Sequence, residues 1–353
     1  MLVTLMIPPV AITLGALVRN EALTASDFAG FATIALSLVI LDGRVLRRRR
    51  SFHPHVPALP LGNSAWEAGM PLYETAADWH AAPHRRVALF GMSGLGKTYI
   101  SDMLRRSRGW FHYSVDYRIG TRYMGEHIVD HFKREAMKNT VLADMLRRDA
   151  IYIASNISFA NLSPLSSYLG KPGDHARGGI PFEEYRRRQA QHREAEIAAL
   201  LDAPRFVKKA GEIYGYPNFV CDTGGSICEV VDASNPDNPV MTALSDAMLP
   251  VWIKGDAAHA DELARRFDAD PKPMYYRPQD LEANRLAYLA EIGCTENDID
   301  PDAFIRWCFR RLLGERQSRY AAMAEWGVTV DASDIAAVRS AAEFEALIAS
   351  ALP

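Results

Sequence analysis

Eight consecutive residues, Gly91 to Thr98, have the types and the spacing that are needed to hold a chain of phosphate groups. They fit the pattern G-x-x-x-x-G-K-[ST] at every fixed position. Glycines allow backbone conformations and close approach that a Cβ would block, so successive N–H groups can surround phosphate oxygens. The ammonium of Lys97 would reach the β- and γ-phosphates, and the hydroxyl of Thr98 would bind Mg²⁺. The predicted phosphate-binding residues are Gly91, Ser93, Gly94, Leu95, Gly96, Lys97 and Thr98.

The residues on either side of this loop predict a strand before it and a helix after it. Arg86 to Phe90 is a short apolar run that suits a buried parallel strand. From Tyr99 to Arg106, the apolar residues Ile100, Met103 and Leu104 have helical spacing. A strand–loop–helix unit is the context that a Walker A sequence, or P-loop, requires. The predicted ligands are ATP and Mg²⁺. The choice between ATP and GTP stays open, although no guanine-reading Asn-Lys-x-Asp run is present.

Four further apolar runs predict the rest of an α/β fold. They cover residues 111–116, 218–222, 250–253 and 328–331, and helical segments separate them. Alternating strands and helices predict a five-stranded parallel sheet covered by helices on both faces. Ligands of such sheets bind beyond the carboxyl ends of the strands. Asp116, Asp222 and the Gly224-Gly225 turn are all expected at that edge, together with the P-loop.

The two acids at the predicted strand ends are candidates for chemistry. Asp222 ends an apolar strand and could hold Mg²⁺ directly or through water, as a Walker B acid does. Its alternative is a structural role in capping the next turn. Asp116 could accept the proton of a substrate hydroxyl or position that hydroxyl. Its alternative is a helix N-cap.

The order of these features resembles the shikimate-kinase and gluconate-kinase branch of small-molecule P-loop kinases, over about half of residues 86–335. The resemblance is carried by Asp116 to Ile119, by Gly125, Ile128 and Phe132, by Gly224-Gly225, by Trp252-Ile253, by Glu262 to Arg266, and by Lys272 to Met274 with Arg277. Ser114 and Ser226 depart from the family pattern, and residues 133–217 form an insertion that compact kinases lack. The identity of the acceptor therefore stays open.

This resemblance implies roles for individual residues. Gly224 and Gly225, with Asp116, would contact the acceptor. A basic lid from Phe267 to Pro278 would close over both substrates, with arginines that stabilise the charge of the transferring phosphoryl group. The predicted catalytic residues are Lys97, Asp116, Arg265 and Arg277, with Arg266 and Lys272 as further lid candidates, and the predicted metal ligands are Thr98 and Asp222.

The predicted function is phosphoryl transfer from ATP to a small-molecule acceptor. The alternative is an ATPase or nucleotide switch that acts on a protein partner. An ABC-type ATPase is disfavoured because no Leu-Ser-Gly-Gly-Gln signature is present.

Within the insertion, Pro181 to Ala199 predicts a helix whose charges mostly face solvent. An insertion of this length predicts a substrate-covering subdomain that sets acceptor specificity. Val338 to Leu352 predicts a terminal amphipathic helix on the sheet.

The first 50 residues have a different composition from the rest. Met1 to Val18 carries no charge, Phe28 to Leu41 is again apolar, and Arg47 to Arg50 is a basic run. This pattern predicts a transmembrane hairpin with a cytoplasmic basic end. A buried helical pair in a soluble protein is the alternative. We predict that residues 51–69 form a linker and that residues 70–353 form the kinase-like domain. Met70 is an alternative start of the protein.

The hairpin resembles the last two helices of the drug/metabolite transporter (EamA-type) family. The residues that carry this resemblance are Pro8-Pro9, Gly15-Ala16-Leu17, Asn20-Glu21-Ala22-Leu23, Gly30 and the closing arginine run. Two helices cannot build a transport path, so we interpret the segment as a transporter remnant. Membrane transport regulated by the P-loop domain is a weaker alternative. The P-loop domain is predicted to be cytoplasmic, with an inner-membrane anchor through residues 1–46 if the hairpin is retained.

The composition of the chain narrows the classes of partner and of metal site that remain. The 353 residues are 48% hydrophobic and carry a net charge of −3, which gives no electrostatic reason to expect a nucleic-acid partner. None of the four cysteines forms a Cys-x-x-Cys pair or has histidines at zinc spacing, so no zinc site is predicted. Reduced, mostly buried thiols in a cytosolic protein are the simplest interpretation.

Overall fold

The computed structural model describes residues 72–353, which all belong to one compact unit spanning Ala65–Pro353. The predicted hairpin of residues 1–50 and the linker of residues 51–69 lie outside the described residues. Within residues 72–353, none of the helices combines the length and the apolar character needed to span a membrane.

Five strands form a single parallel sheet in the order β2-β3-β1-β4-β5. They are β1 (Arg86–Phe90), β2 (Trp110–Ser114), β3 (Asn218–Asp222), β4 (Leu249–Lys254) and β5 (Val328–Asp331). Strand β1 lies at the centre, where Leu89 pairs with Asp222 on one side and with Val251 on the other. Four of the five residues of β1 and of β3 are buried, as expected for strands covered on both faces. The predicted five-stranded parallel α/β sheet is confirmed.

The first helices follow the strand ends closely. They are α1 (Ala76–Ala81), α2 (Lys97–Arg106), α3 (Val115–Arg118), a π-helix (Ile119–Tyr123), α4 (Gly125–Ala136), α5 (Thr140–Arg147) and α6 (Ser163–Leu169). Strand β2 ends two residues earlier than predicted because the Ser114 hydroxyl accepts a hydrogen bond from Tyr117 N and caps α3. Asp116 therefore lies in the first turn of a helix rather than at the end of a strand.

The charged helix of the insertion is longer than predicted. Helix α7 (Phe182–Tyr214) has 33 residues and contains Pro204 in its interior. The prediction of a mostly solvated helix is incomplete, because Arg188, His192 and Glu196 are buried along it. The helix packs on the sheet and on a neighbouring helix. Charged residues on the packed side are therefore buried, although the sequence of the helix is rich in charge.

Helices α8 (Ile227–Val230) and α9 (Pro239–Ala247) lead from β3 to β4, and three helices fill the connection from β4 to β5. The three are α10 (Ala257–Ala269), α11 (Pro278–Ile292) and α12 (Pro301–Ala324). They form a second hydrophobic cluster with the start of α7, in which Phe267 stacks on Phe309 with ring centroids 3.8 Å apart. We call this group the helical lobe.

The predicted lid segment, Phe267 to Pro278, is anchored in this lobe. Tyr275 and Tyr276 are buried, and Tyr276 N donates to Gln189 Oε1 at 3.0 Å. The segment thus joins the insertion helix α7 to the connection between β4 and β5.

Two short helices complete the chain. Helix α13 (Ala332–Ala337) follows β5, and α14 (Ala341–Ala351) is the terminal helix, which begins three residues later than predicted. Phe344 packs edge-on against Trp110, with ring centroids 5.9 Å apart, so the predicted packing of this helix on the sheet is confirmed.

Candidate functional site

The loop from Gly91 to Thr98 joins the central strand β1 to helix α2, at the carboxyl edge of the sheet. Gly91 and Gly96 have φ angles of 139° and 98°, which residues with a side chain rarely adopt. A Cβ on Gly91 would lie 2.5 Å from the carbonyl oxygen of Ile253, and one on Gly96 would lie 2.9 Å from Ile335 Cγ2. Gly96 is also the N-cap of α2 and provides no side-chain cap. The glycines are therefore required for the path of the loop.

Lys97 lies across this loop. Its buried ammonium donates to the carbonyl oxygens of Gly91 at 2.7 Å and Met92 at 2.8 Å. Burial lowers the pKa of Lys97, while the negative charges of Asp222 and Asp116 act in the opposite direction. The ammonium thus lies close to both candidate acids.

Thr98 and Asp222 meet directly. The Thr98 hydroxyl donates to Asp222 Oδ2 at 2.8 Å, and Gly224 N donates to Asp222 Oδ1 at 3.2 Å. Asp222 therefore has a capping role and also faces the start of α2. One hydroxyl and one carboxylate suit Mg²⁺, which prefers oxygen ligands and keeps several waters. Between residues 72 and 353, no group of three or more His, Cys, Asp or Glu side chains could hold a metal ion.

Asp116 lies against the turn that follows β3. A Cβ on Gly224 would be 2.7 Å from Asp116 Oδ1, and Gly224 has a φ of 77°, so only glycine fits there. Ser114 is the N-cap of α3, and the capping alternative for Asp116 is therefore wrong. Burial, reinforced by the negative charge of Asp222, raises the pKa of Asp116 to about 6, although Lys97 opposes this shift. A carboxyl with this pKa is mostly ionised at neutral pH and can accept a proton.

The Gly224-Gly225 turn also touches the loop. A Cβ on Gly225 would lie 2.6 Å from Ser93 Oγ. The carbonyl oxygen of Gly225 accepts from Arg316 Nη1 at 3.0 Å and from the Tyr320 hydroxyl at 2.8 Å. Both side chains come from α12. The sequence analysis missed them, because about 90 residues separate them from the turn and no local pattern marks them.

The predicted lid arginines differ in their surroundings. Arg265 is exposed and paired with Glu262 at 2.6 Å. Its neighbour Arg266 lies by the loop, with Nη1 3.5 Å from the position of a Cβ on Gly94. Lys272 pairs with Asp270 at 3.3 Å. Arg277 donates to the carbonyl oxygens of Cys228 and Val231, at 2.6 and 3.0 Å.

The structure thus brings Lys97, Thr98, Asp116, Asp222 and the Gly224-Gly225 turn together, as predicted. It places Arg266 beside the loop, whereas Arg265 and Arg277 are engaged elsewhere. The sequence analysis also missed the buried acid Glu196, which accepts from the Ser226 hydroxyl beside the turn at 2.8 Å.

Comparison of the chain with protein-family models, with curated proteins and with solved structures found no match. The function proposed below therefore rests on the motif and on the geometry of this site.

Proposed function

We propose that this chain is a P-loop kinase, which binds ATP and Mg²⁺ at Gly91–Thr98 and phosphorylates a hydroxyl group of a small molecule. The observation that carries this proposal is the grouping of Lys97, the Thr98–Asp222 pair and Asp116 around one glycine loop. These are the parts that phosphoryl transfer needs: a phosphate cradle, a metal site and a proton acceptor.

The residues present fit both ligands. Lys97 has two carbonyl acceptors in the loop, and phosphate oxygens would compete with them as stronger, charged acceptors. Thr98 and Asp222 would hold Mg²⁺, which neutralises negative charge on the phosphates when bound. Arg266, beside Gly94, would add positive charge on the outer side of the loop.

Asp116 would act as the proton acceptor. The acceptor hydroxyl loses its proton to the Asp116 carboxylate, and its oxygen forms a bond to the γ-phosphorus. The bond from that phosphorus to the β–γ bridging oxygen breaks, and ADP leaves. Lys97 and Arg266 stabilise the charge that develops on the transferring group. A nucleotide switch is the second candidate: it would use the same loop and metal site, and Asp116 would then have no catalytic role.

ATP, Mg²⁺ and four free cysteines fit a cytoplasmic location for this domain. A membrane anchor through residues 1–46 depends on retention of the N-terminal segment.

The test is ADP release by the full-length chain with Mg-ATP, with and without a library of hydroxylated metabolites. We expect turnover that depends on an acceptor and is lost in Lys97→Ala. Lys138→Ala, at an exposed lysine between α4 and α5, is the matched control and should retain the activity. Slow hydrolysis that no metabolite stimulates would favour the nucleotide switch. Absence of ATP binding to the wild-type chain would refute both functions.

A further inference from the structure

One buried guanidinium group joins three separate segments beside the Gly224-Gly225 turn. It belongs to Arg316 of helix α12, which is 4% exposed. Its Nη1 donates to the carbonyl oxygen of Gly225 at 3.0 Å, its Nε to Glu229 Oε1 at 2.8 Å, and its Nη2 to the carbonyl oxygen of Tyr275 at 3.3 Å. The side chain thus connects the turn, helix α8 and the predicted lid segment.

The turn that Arg316 holds contacts each part of the proposed catalytic site. Gly224 N donates to Asp222 Oδ1 at 3.2 Å, and a Cβ on Gly224 would lie 2.7 Å from Asp116 Oδ1. A Cβ on the adjacent Gly225 would lie 2.6 Å from Ser93 Oγ in the glycine loop. Because reacting groups must be held to within a fraction of an ångström, a shift of this turn would disturb the metal acid, the proton acceptor and the loop together.

Helix α12 fixes the position of Arg316 relative to the loop. On this helix, Gln317 Nε2 donates to Met92 Sδ in the loop at 2.9 Å. One helical turn after Arg316, the Tyr320 hydroxyl donates at 2.8 Å to the carbonyl oxygen of Gly225, which Arg316 also bonds. Two side chains on one face of α12 therefore hold a single carbonyl oxygen of the turn.

The ion pair with Glu229 does not by itself account for Arg316. Glu229 also pairs with Arg319 and, at 3.7 Å, with Arg277, so its carboxylate keeps two positive partners when Arg316 is removed. A buried ion pair is weak evidence for a stabilising role, because the cost of desolvating the charges offsets their attraction. Arg316 differs from Arg319 in that its planar set of N–H groups also reaches two carbonyl oxygens.

We propose that Arg316 is a positioning residue, which fixes the Gly225 carbonyl oxygen and, through Tyr275, ties the lid segment to the turn so that the two move as one unit. Its effect on catalysis rests on the proposed kinase function and is exerted through the turn. The coupling between the turn and the lid segment is a property of the fold and can be measured without turnover.

The first test measures this coupling by hydrogen–deuterium exchange of the full-length chain. Arg316→Met keeps an apolar side chain of similar length and removes the three hydrogen bonds. Arg319→Met is the matched control, because it takes an arginine from the same carboxylate without a contact to the turn. We expect amide exchange about fivefold faster or more in peptides covering residues 222–227 and 274–277 of Arg316→Met, and rates within about twofold of the wild type at 222–227 in Arg319→Met.

Two results of the exchange experiment would overturn the proposal. They are wild-type exchange at residues 222–227 in Arg316→Met, and equal acceleration in the two variants, which would assign the effect to the loss of a charge beside Glu229. Arg316→Lys provides the same comparison if the methionine variant does not fold. Its compact ammonium keeps the charge but cannot span the three oxygens, so it too should accelerate exchange at the turn.

The second test is kinetic and uses Mg-ATP with the library compound that most stimulates ADP release. Arg316→Met should lower kcat about tenfold or more with the ATP KM within about threefold, whereas Arg319→Met should keep both within about threefold. Tyr320→Phe should also lower kcat, and its effect should be less than additive with that of Arg316→Met because both side chains hold one oxygen.

The kinetic outcomes separate this proposal from the proposed function. Equal kcat values in Arg316→Met and Arg319→Met would refute the positioning role and leave the kinase function standing. A wild-type chain that no acceptor stimulates would refute the kinase function, and the exchange experiment would then decide the coupling alone.

Discussion

Replacing Asp116 with asparagine should have opposite effects on activity and on stability. The folded protein raises the pKa of this carboxyl from 3.8 to about 6, so ionisation is less favourable in the folded chain than in the unfolded chain. Because the folded chain binds this proton more tightly than the unfolded chain, the free energy of unfolding depends on pH. It is highest below about pH 4 and falls as the pH rises from about 4 through 6. Asparagine cannot ionise and avoids this loss.

The magnitude follows from the size of the shift. About two pKa units correspond to roughly 3 kcal/mol at neutral pH, as an upper bound for a side chain that is partly exposed. Asp116→Asn should thus unfold at a higher temperature than the wild type at pH 7.5, and the difference should disappear near pH 4. Thermal denaturation across this range measures it, with Asp130→Asn, at an exposed carboxylate of α4, as the control.

The catalytic effect should run in the other direction. Loss of a general base reduces kcat by about 10²–10⁴-fold. In the wild type, a base with a pKa of about 6 in the free protein should make kcat/KM about tenfold higher at pH 7 than at pH 5, and the variant should lack this limb. Steady-state ADP release from pH 5 to 8 tests both points. A variant that keeps the wild-type rate, or that loses stability at pH 7.5, would refute the role assigned to Asp116.

Three further changes test other parts of the site. Asp222→Asn should raise the Mg²⁺ concentration for half-maximal activity about tenfold or more, because it weakens the carboxylate partner of Thr98; a magnesium titration that overlays the wild type would contradict this. Gly224→Ala should destabilise the chain by about 1–3 kcal/mol in urea denaturation, since its φ of 77° and its contact with Asp116 both exclude a Cβ, and an unchanged midpoint would count against the close contact. Arg266→Ala should raise the ATP KM about tenfold, whereas Arg265→Ala should leave it unchanged; equal effects of the two would remove the distinction between them.

The parts of this fold that the sequence predicts are those with local patterns. The glycine loop, the buried strands and helix α2 each follow from a few adjacent residues, and the predicted bounds of these strands and of α2 lie within two residues of the observed ones. Asp116 and Asp222 were also predicted correctly as neighbours, because parallel strands bring their carboxyl ends to one edge. These inferences need only the strand direction and the motif.

The remainder depends on contacts between distant segments. Arg316 reaches Gly225 across 91 residues, and Glu196 reaches Ser226 across 30. Nothing in the charged run of α7 distinguishes the buried Glu196 from the exposed Glu194, because burial is decided by packing against the sheet. The adjacent residues Arg265 and Arg266 also look equivalent in the sequence. Only the orientation of helix α10 about its axis shows that Arg266 approaches the loop and Arg265 does not.

The tight contacts of the Gly224-Gly225 turn also bear on how such a protein can evolve. A side chain at Gly224 would collide with Asp116 in a backbone conformation with a φ of 77°, so this position cannot change without disturbing Asp116. A side chain at Gly225 would require the Ser93 hydroxyl to move. The inserted helix α7 reaches this turn through a few side chains, such as Glu196, which bonds to Ser226. In the proposed kinase, substitutions on α7 can therefore change the surroundings of the turn, while the glycine loop is inherited unchanged.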